Sequence, residues 1–366
     1  MPTLIFQCLW KDVWRLRHRM RSALALAVAC LVALPVQTRA EARPDVIRAA
    51  GSSFPAPLYA SWSGIYEKQT GVRIQYDAIG TTPAFEALSK GQAAFIAANR
   101  PLGSARVEKE ALLQFPMVMG GVVPVVRIFG VGPGEMRLTG PVLADIFMGK
   151  ITQWTDSAIR RLNPSVRLPA GPINVISRKD ASGTTFLLSS YLNMVSADWK
   201  AEVSSAPFVA IPVGYKADGL NNLILAMQRL PNSIAYVDYG SAKRLKLSHV
   251  LVQNASGRFV GPTYRSIQAA ALGGEWKGTM SVVTTNSPHP HAWPIASPSF
   301  VLARTSYLSN EESANAQRAL EFLAWAMRLG DQIADDLDFV PLPQEVKARV
   351  EREVSARLTA LSGDGN

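Results

Sequence analysis

Three short segments with the pattern of a β-strand each lead into a turn that is rich in hydroxyl side chains, and each turn then opens a helical pattern. The segments cover residues 46–50, 72–76 and 173–176, and the turns after them are Ser52-Ser53-Phe54, Thr81-Thr82 and Ser182-Gly183-Thr184. A chain that alternates strands and helices in this way favours a sheet with helices on both faces. The pattern therefore predicts an α/β protein built of three-layer units.

The length and apolar content of the chain allow two such units. Its 366 residues are 48% hydrophobic and 18% charged, which is enough to bury a large core in about two domains. Residues 118–128 are almost all apolar, which predicts a buried strand that crosses between the domains. Two helical patterns end the chain, and the second repeats an apolar residue every four positions, at Val346, Val350, Val354 and Leu358. This stripe is typical of a core-facing helix.

The first forty residues have the pattern of an export signal. Four arginines between positions 15 and 21 precede an apolar run over residues 23–36, and Thr38-Arg39-Ala40 resembles a cleavage site. The run is too short for a permanent membrane span. We therefore expect residues 1–40 to be removed, leaving a mature periplasmic chain that begins near Glu41. Two alternatives stay open: translation starts at Met20, or Cys30 belongs to a lipoprotein cleavage box.

Cysteine usage and charge agree with export. The two cysteines, Cys8 and Cys30, both lie in the leader, so the mature chain can form no disulfide. Residues 1–40 also hold six Lys or Arg and one Asp, which leaves the remainder at +5 instead of +10. This mild bias favours anionic partners, and no basic run with interleaved aromatic residues indicates nucleic acid.

The segment from Arg178 to Thr185 combines the groups that an anion site requires. Ser182 or Thr184 can cap the helix that follows, and the free N–H groups at a helix start attract negative charge. Arg178 can add a forked pair of donors, and Asp180 is placed to hold that fork. Such turns also cap helices that bind nothing, so both interpretations stay open for this segment alone. By the same reasoning, Ser53 is a candidate cap for a helix that begins near Pro55.

Sequence patterns for metal binding or catalysis are weak. His289 and His291 have metal-compatible spacing, but they lie in a proline-rich loop with no third ligand nearby. No nucleophile elbow, Walker loop or dinucleotide fingerprint occurs in the chain. We therefore expect no metal, no cofactor and no catalytic residue. A secreted phosphoryl-transfer enzyme is the least favoured alternative, because the sequence supplies no nucleophile for it.

Several segments, in order and spacing, together resemble the periplasmic phosphate-binding proteins of bacterial high-affinity phosphate ABC importers. They are 51–60 (Gly51-Ser52-Ser53-Phe54-Pro55-Ala56-Pro57-Leu58-Tyr59-Ala60), Gln114-Phe115-Pro116 with 120–123, Gly149-Lys150-Ile151 with Trp154, Leu162-Asn163-Pro164, 178–184, 228–231 with Tyr236-Val237, and Ala292-Trp293-Pro294-Ile295. The resemblance implies a two-lobed type II periplasmic-binding-protein fold of two three-layer α/β lobes. It also implies a monomer whose interlobe cleft closes on inorganic phosphate and which docks on a membrane permease.

The resemblance also implies lobe boundaries and ligand contacts. One lobe is expected to contain residues 45–127 plus 297–366, and the other residues 128–296. The family's anion contacts fall here on Ser53, Phe54 through its backbone, Thr81, Asn99, Arg178, Ser182, Gly183 and Thr184, with Asp180 in support.

Two departures from the family pattern concern selectivity. Asn99 stands where the family has an aspartate, which as a carboxylate can only accept hydrogen bonds and therefore favours protonated phosphate over sulfate. An amide can turn either its oxygen or its NH₂ toward the ligand. Thr81-Thr82-Pro83-Ala84 also replaces a glycine-containing turn, and Pro83 removes an N–H group. A paralogue that binds another tetrahedral oxyanion, or phosphate with relaxed selectivity, in sensing or secretion therefore stays open. The side chain of Arg100, the residue after Asn99, can face either the cleft or the protein surface, and both orientations stay open.

Overall fold

A computed structural model describes residues 45–307 and 309–363. The predicted leader, residues 1–40, lies outside this range. Within it, no helix combines the length and the apolar character that a membrane crossing requires. The strands are β1 (Asp45–Gly51), β2 (Val72–Asp77), β3 (Phe95–Ala98), β4 (Leu112–Arg127), β5 (Arg137–Leu138), β6 (Asn174–Arg178), β7 (Tyr215–Ala217), β8 (Ser233–Asp238), β9 (Leu251–Gln253), β10 (Phe259–Val260) and β11 (Ala296–Arg304).

The helices cover most of the remaining described chain. They are α1 (Ala56–Thr70), α2 (Thr81–Ser89), α3 (Ser104–Lys109), α4 (Gly140–Met148), α5 (Ser157–Leu162), α6 (Gly183–Val195), α7 (Ala197–Glu202), α8 (Gly219–Arg229), α9 (Tyr239–Arg244), α10 (Tyr264–Ala271), α11 (Asn310–Leu329), α12 (Asp331–Asp336) and α13 (Gln344–Gly363).

Eight strands form one mixed sheet in the order β2-β1-β3-β11-β4-β8-β6-β7. The strand β4 is the shared member: residues 112–121 pair with β11, and residues 122–127 pair with β8. Its side chains are buried from Leu113 to Val126, as expected for a strand that is covered along both halves. We call the part of the sheet up to β11 the first lobe and the part from β8 to β7 the second lobe, with β4 running through both.

The strands of the first lobe are apolar on both faces because helices cover both sides of the sheet. Along β3, Phe95 and Ala97 pack in one hydrophobic cluster, whereas Ile96 and Ala98 pack in another. Successive strand residues point to opposite faces of a sheet, so the two clusters mark two covered faces. Helices α1 and α11 contribute aromatic rings to the first cluster, and α2 contributes to the second. This arrangement has the predicted three layers.

Most predicted elements form where the sequence indicates. Residues 118–127 of the predicted strand over 118–128 lie in β4, and the valine stripe of α13 is buried at Val346, Val350 and Val354. Two details differ. The short helix α12 was not predicted between the last two helices. The prediction that Ser53 caps α1 is wrong, since Pro55 holds the cap position and no side chain caps that end. A proline's fixed φ angle already prepares a helix start, which makes a hydroxyl cap less necessary.

The predicted lobe boundary at residue 296 stays a prediction. Gln114, in the first-lobe part of β4, donates its side-chain NH₂ to the Thr279 carbonyl at 2.9 Å and to Ser281 at 3.0 Å. Trp276 also packs its ring 6.2 Å from that of Phe300 in β11. The segment around residues 276–281 therefore contacts first-lobe strands, although the boundary implied by the family resemblance assigns it to the second lobe.

Candidate anion-binding site

The start of α6 is built by a hydroxyl network. Ser182 is the N-cap residue, and its hydroxyl accepts a hydrogen bond from the Thr185 N–H at 3.1 Å. The same hydroxyl lies 3.1 Å from the Thr184 hydroxyl. The first N–H groups of a helix have no partner inside the helix, so those of Gly183 and Thr184 are directed at whatever lies beyond the helix end. This end of the thirteen-residue helix α6 can therefore hold an anion.

Arg178, the last residue of β6, is fixed by Asp180. Its Nε donates to Asp180 Oδ1 at 2.6 Å, and its Nη2 donates to Asp180 Oδ2. Asp180 Oδ1 also accepts the N–H of Gly219 at 2.9 Å, at the start of α8. The hydrogen bond from Arg178 lowers the pKa of Asp180 to about 2, and the same pairing raises the pKa of Arg178. Both groups are charged near neutral pH, and Asp180 leaves Nη1 of the arginine for another acceptor.

Tyr236 connects these two parts of the site, a role that no sequence pattern indicates. Its buried hydroxyl accepts the Arg178 N–H at 3.2 Å and lies 2.8 Å from the Thr185 hydroxyl. It therefore ties the end of β6 to the first turn of α6. Tyr236 lies on β8, far along the chain from both partners, and no spacing in the sequence links it to them. Only the pairing of β6 with β8 brings it there.

The turn after β1 approaches the same place from the first lobe. Ser53 and Phe54 border a cavity of about 490 Å³ together with Arg178, Ser182, Gly183 and Thr184. The Phe54 N–H, which is expected to face the ligand, lies 3.1 Å from Ser52 Oγ. A ligand at Phe54 would share or replace that hydrogen bond. Six of the eight predicted contact residues thus surround one cavity between the lobes.

Asn99 lies on the first-lobe side of a smaller adjoining cavity that Phe54, Gly183 and Thr184 also border. Its Oδ1 atom is buried and has no hydrogen-bond partner among the described residues. A Cβ atom placed on Gly183 would lie 2.9 Å from Asn99 Nδ2, so the two residues meet closely across the cleft. Buried polar atoms are rarely left unpaired, and this unpaired acceptor is a candidate ligand contact.

Thr81 is the predicted contact that the two cavities leave out. It is the first residue of α2 and is half-buried, but it borders neither of the two cavities. The N–H of the preceding Gly80 donates to the Gly51 carbonyl at 2.8 Å, which links this helix start to the turn that carries Ser53. A role for Thr81 stays a prediction.

Other candidate sites hold none of the predicted residues. A larger cavity, about 610 Å³, lies in the first lobe between Arg48, Arg304 and Glu311. In the part of the chain that the structure describes, no group of three His, Cys, Asp or Glu residues is arranged to hold a metal ion. The rings of His289 and His291 are 6.0 Å apart. The convergence of predicted residues is therefore what singles out the interlobe cavity.

Comparison with known proteins agrees with this architecture. Residues 38–328 match the model of the PBP superfamily domain. The phosphate-binding protein PstS of Xylella fastidiosa is 38% identical over 307 residues, which cover 83% of this chain and 84% of the relative. The PstS protein of Haemophilus influenzae is 37% identical over 319 residues, which cover 87% of this chain and 95% of the relative.

Solved structures are similar in fold. An ABC-type phosphate transport receptor from Vibrio cholerae superposes with a TM-score of 0.58 at 17% identity, covering 81% of this chain and all of the receptor. A phosphate-binding protein from Stenotrophomonas maltophilia gives a TM-score of 0.60 at 18% identity, covering 84% and 93%. The predicted two-lobed type II periplasmic-binding-protein fold is confirmed. With the sequence relatives, these similarities show that the chain belongs to the PBP superfamily and, within it, to the family of PstS phosphate-binding proteins.

Proposed function

We propose that this protein captures inorganic phosphate in the interlobe cleft and delivers it, as a monomer in the periplasm, to the membrane permease of an ABC importer. The observation that carries the proposal is that the Asp180-bound guanidinium of Arg178 and the N-terminus of α6 border one cavity. The relatives' names identify phosphate as their ligand and ABC transport as the context of one solved neighbour. Export rests on the leader pattern of residues 1–40.

The arrangement suits binding more than turnover. The residues predicted to contact the ligand supply one arginine, hydroxyl groups and helix N–H donors, which neutralise and orient an anion. Tyr236 and Asp180 are engaged in holding these donors, and the pKa of Asp180 lies too low for it to act as a general base near neutral pH. We therefore propose no catalytic role for the residues of the cleft.

Titration calorimetry on the exported protein tests the proposal. Protein purified from the periplasm is unfolded and refolded to remove bound ligand, then titrated with phosphate and with sulfate. We expect phosphate to bind and Arg178→Ala to weaken binding by about 2–5 kcal/mol, because a charge-assisted contact of a partly buried arginine is lost. Arg48→Ala, at an exposed arginine that borders the other cavity, is the matched control. Unchanged phosphate affinity in Arg178→Ala would contradict the assignment.

A second candidate function follows from Asn99. Its side chain combines an unpaired buried acceptor with a donor group, so it can meet either a protonated or a fully ionised oxyanion. The alternative is a receptor of relaxed selectivity, for phosphate and other tetrahedral oxyanions such as sulfate. Comparable affinities for phosphate and sulfate in the same titration would favour it.

A further inference from the structure

Arg100 makes a contact that joins the two lobes. It follows Asn99 directly after β3, in the first lobe, and its guanidinium carbon lies 5.8 Å from the centre of the Phe186 ring. Phe186 belongs to α6, in the second lobe. In the sheet, β11, β4 and β8 stand between β3 and β6, so the contact is not between neighbouring elements. It spans the cleft.

The contact lies beside the anion site. Gly183 and Phe186 are three residues apart on α6, so they share one side of the helix. Asn99 meets Gly183, and Arg100 lies over Phe186. The turn after β3 therefore touches the start of α6 at two adjacent points, one inside the cleft and one at its rim. Separation of the lobes would break both.

Arg100 has no competing ion pair with any residue that the structure describes. Its side chain is exposed, and none of the ion pairs among the described residues includes it. Phe186 is half-buried, so one face of its ring is available to the guanidinium. A guanidinium within about 6 Å of a ring centre is attracted by the negative face of the ring. The cation is thus held by the aromatic ring and not by a carboxylate.

We propose that Arg100 and Phe186 form a latch that holds the cleft closed over the bound anion and slows its release. The proposal rests on the proposed function, because the latch acts on the ligand of the same cleft. Arg100 does not touch the ligand in this scheme; it positions the two lobes. Its positive charge at the rim has a second effect, since it attracts anions and raises the association rate.

Stopped-flow measurements of phosphate association and dissociation separate these effects. The variants are Arg100→Gln, Phe186→Leu and the double variant, with Arg100→Lys and Phe186→Tyr as conservative partners. We expect each of the first two to raise the dissociation rate about two- to fivefold, as an exposed cation–aromatic contact allows. The double variant should be no faster than the faster single variant, because both changes remove the same contact.

The conservative variants distinguish a latch from a structural effect. Phe186→Tyr keeps an aromatic face and should retain the slow dissociation, whereas Phe186→Leu should not. Arg100→Lys should retain the association rate that Arg100→Gln loses. Melting temperatures of the empty variants are the check on folding. Dissociation rates that multiply in the double variant, or that do not change, would overturn the latch while phosphate binding stands. A wild-type protein that binds no phosphate would overturn the proposed function and the latch with it.

Discussion

Asn99 is the departure from the phosphate-binding family pattern that bears most directly on the charge and proton state of the ligand. An aspartate there would accept hydrogen bonds only, and would repel an anion that brings no proton. The amide carries no charge and offers Oδ1, which is buried and unpaired, together with an NH₂ group. Selectivity among tetrahedral anions is therefore expected to depend on this side chain more than on Arg178, which attracts any oxyanion.

Asn99→Asp should increase the preference for phosphate over sulfate. The carboxylate would accept a proton from phosphate but would repel sulfate at the same distance. Competition calorimetry with the two anions measures the ratio of affinities. The control is Asn310→Asp, which adds the same charge at an exposed position in the first turn of α11. An unchanged ratio in Asn99→Asp would show that residue 99 does not set selectivity.

The sequence predicted those parts of the site that depend on neighbours in the chain. Asp180 holds Arg178, and Ser182 caps α6, because two or three residues of spacing are enough to bring these groups together. Tyr236 was missed, since only strand pairing brings it to Thr185. The cap role given to Ser53 was wrong because Pro55 starts the helix without one. Contacts between residues that strand pairing brings together cannot be predicted from the spacing of residues along the chain.

At the scale of the elements, the turn after β1 is supported by β4. A Cβ atom on Gly120 would lie 2.1 Å from the tip of the Phe54 ring, so the absence of a side chain there makes room for the ring. The same ring makes an edge contact with the ring of Phe339, with 5.2 Å between the ring centres. Met119, next to Gly120, pairs with Val340. Phe54 thus contacts two backbone segments, around Gly120 and Phe339, that pair with each other.

Gly120→Ala should weaken phosphate binding without unfolding the protein. The added methyl group would push the Phe54 ring out of place and, with it, the turn that carries Ser53. Gly64→Ala is the matched control, because a Cβ on Gly64, within α1, meets no atom within 4 Å. The control should be neutral or slightly stabilising, as alanine favours a helix over glycine by about 1 kcal/mol. Calorimetric titration and melting temperatures of both variants check this; equal phosphate affinity in the two would contradict the role given to Gly120.

The strands and long helices could be predicted because their apolar patterns are strong. Continuous apolar runs mark β3 and β4, which are buried on both faces. The six-residue helix α12 could not be predicted, because it has too few residues for a periodic pattern to appear. The contacts of residues 276–281 with Gln114 and Phe300 could not be predicted either, because they join residues that are far apart in the sequence.

At the scale of the whole molecule, one continuous sheet joins both lobes. The strand β4 pairs with β11 along one part and with β8 along the other. Unfolding of either lobe would therefore break hydrogen bonds of the strand that both lobes share. We therefore expect a single unfolding transition in differential scanning calorimetry, with equal calorimetric and van't Hoff enthalpies. Phosphate at about one hundred times its dissociation constant should stabilise the protein by about 2.7 kcal/mol. Two separate transitions, only one of them shifted by phosphate, would show that the lobes unfold independently.

The pairing of β4 with β11 also determines when the sheet can be completed during synthesis. Residues 112–121 of β4 stay without their strand partner until the chain has been made as far as Arg304, and α11 and α13 follow even later. Contacts between residues so distant in sequence slow folding. For a chain with a predicted export signal, this delay is useful, because a polypeptide that has not yet closed its sheet can still be threaded through a narrow membrane channel. The order of the strands therefore agrees with the predicted export signal, because late closure of the sheet favours translocation before folding.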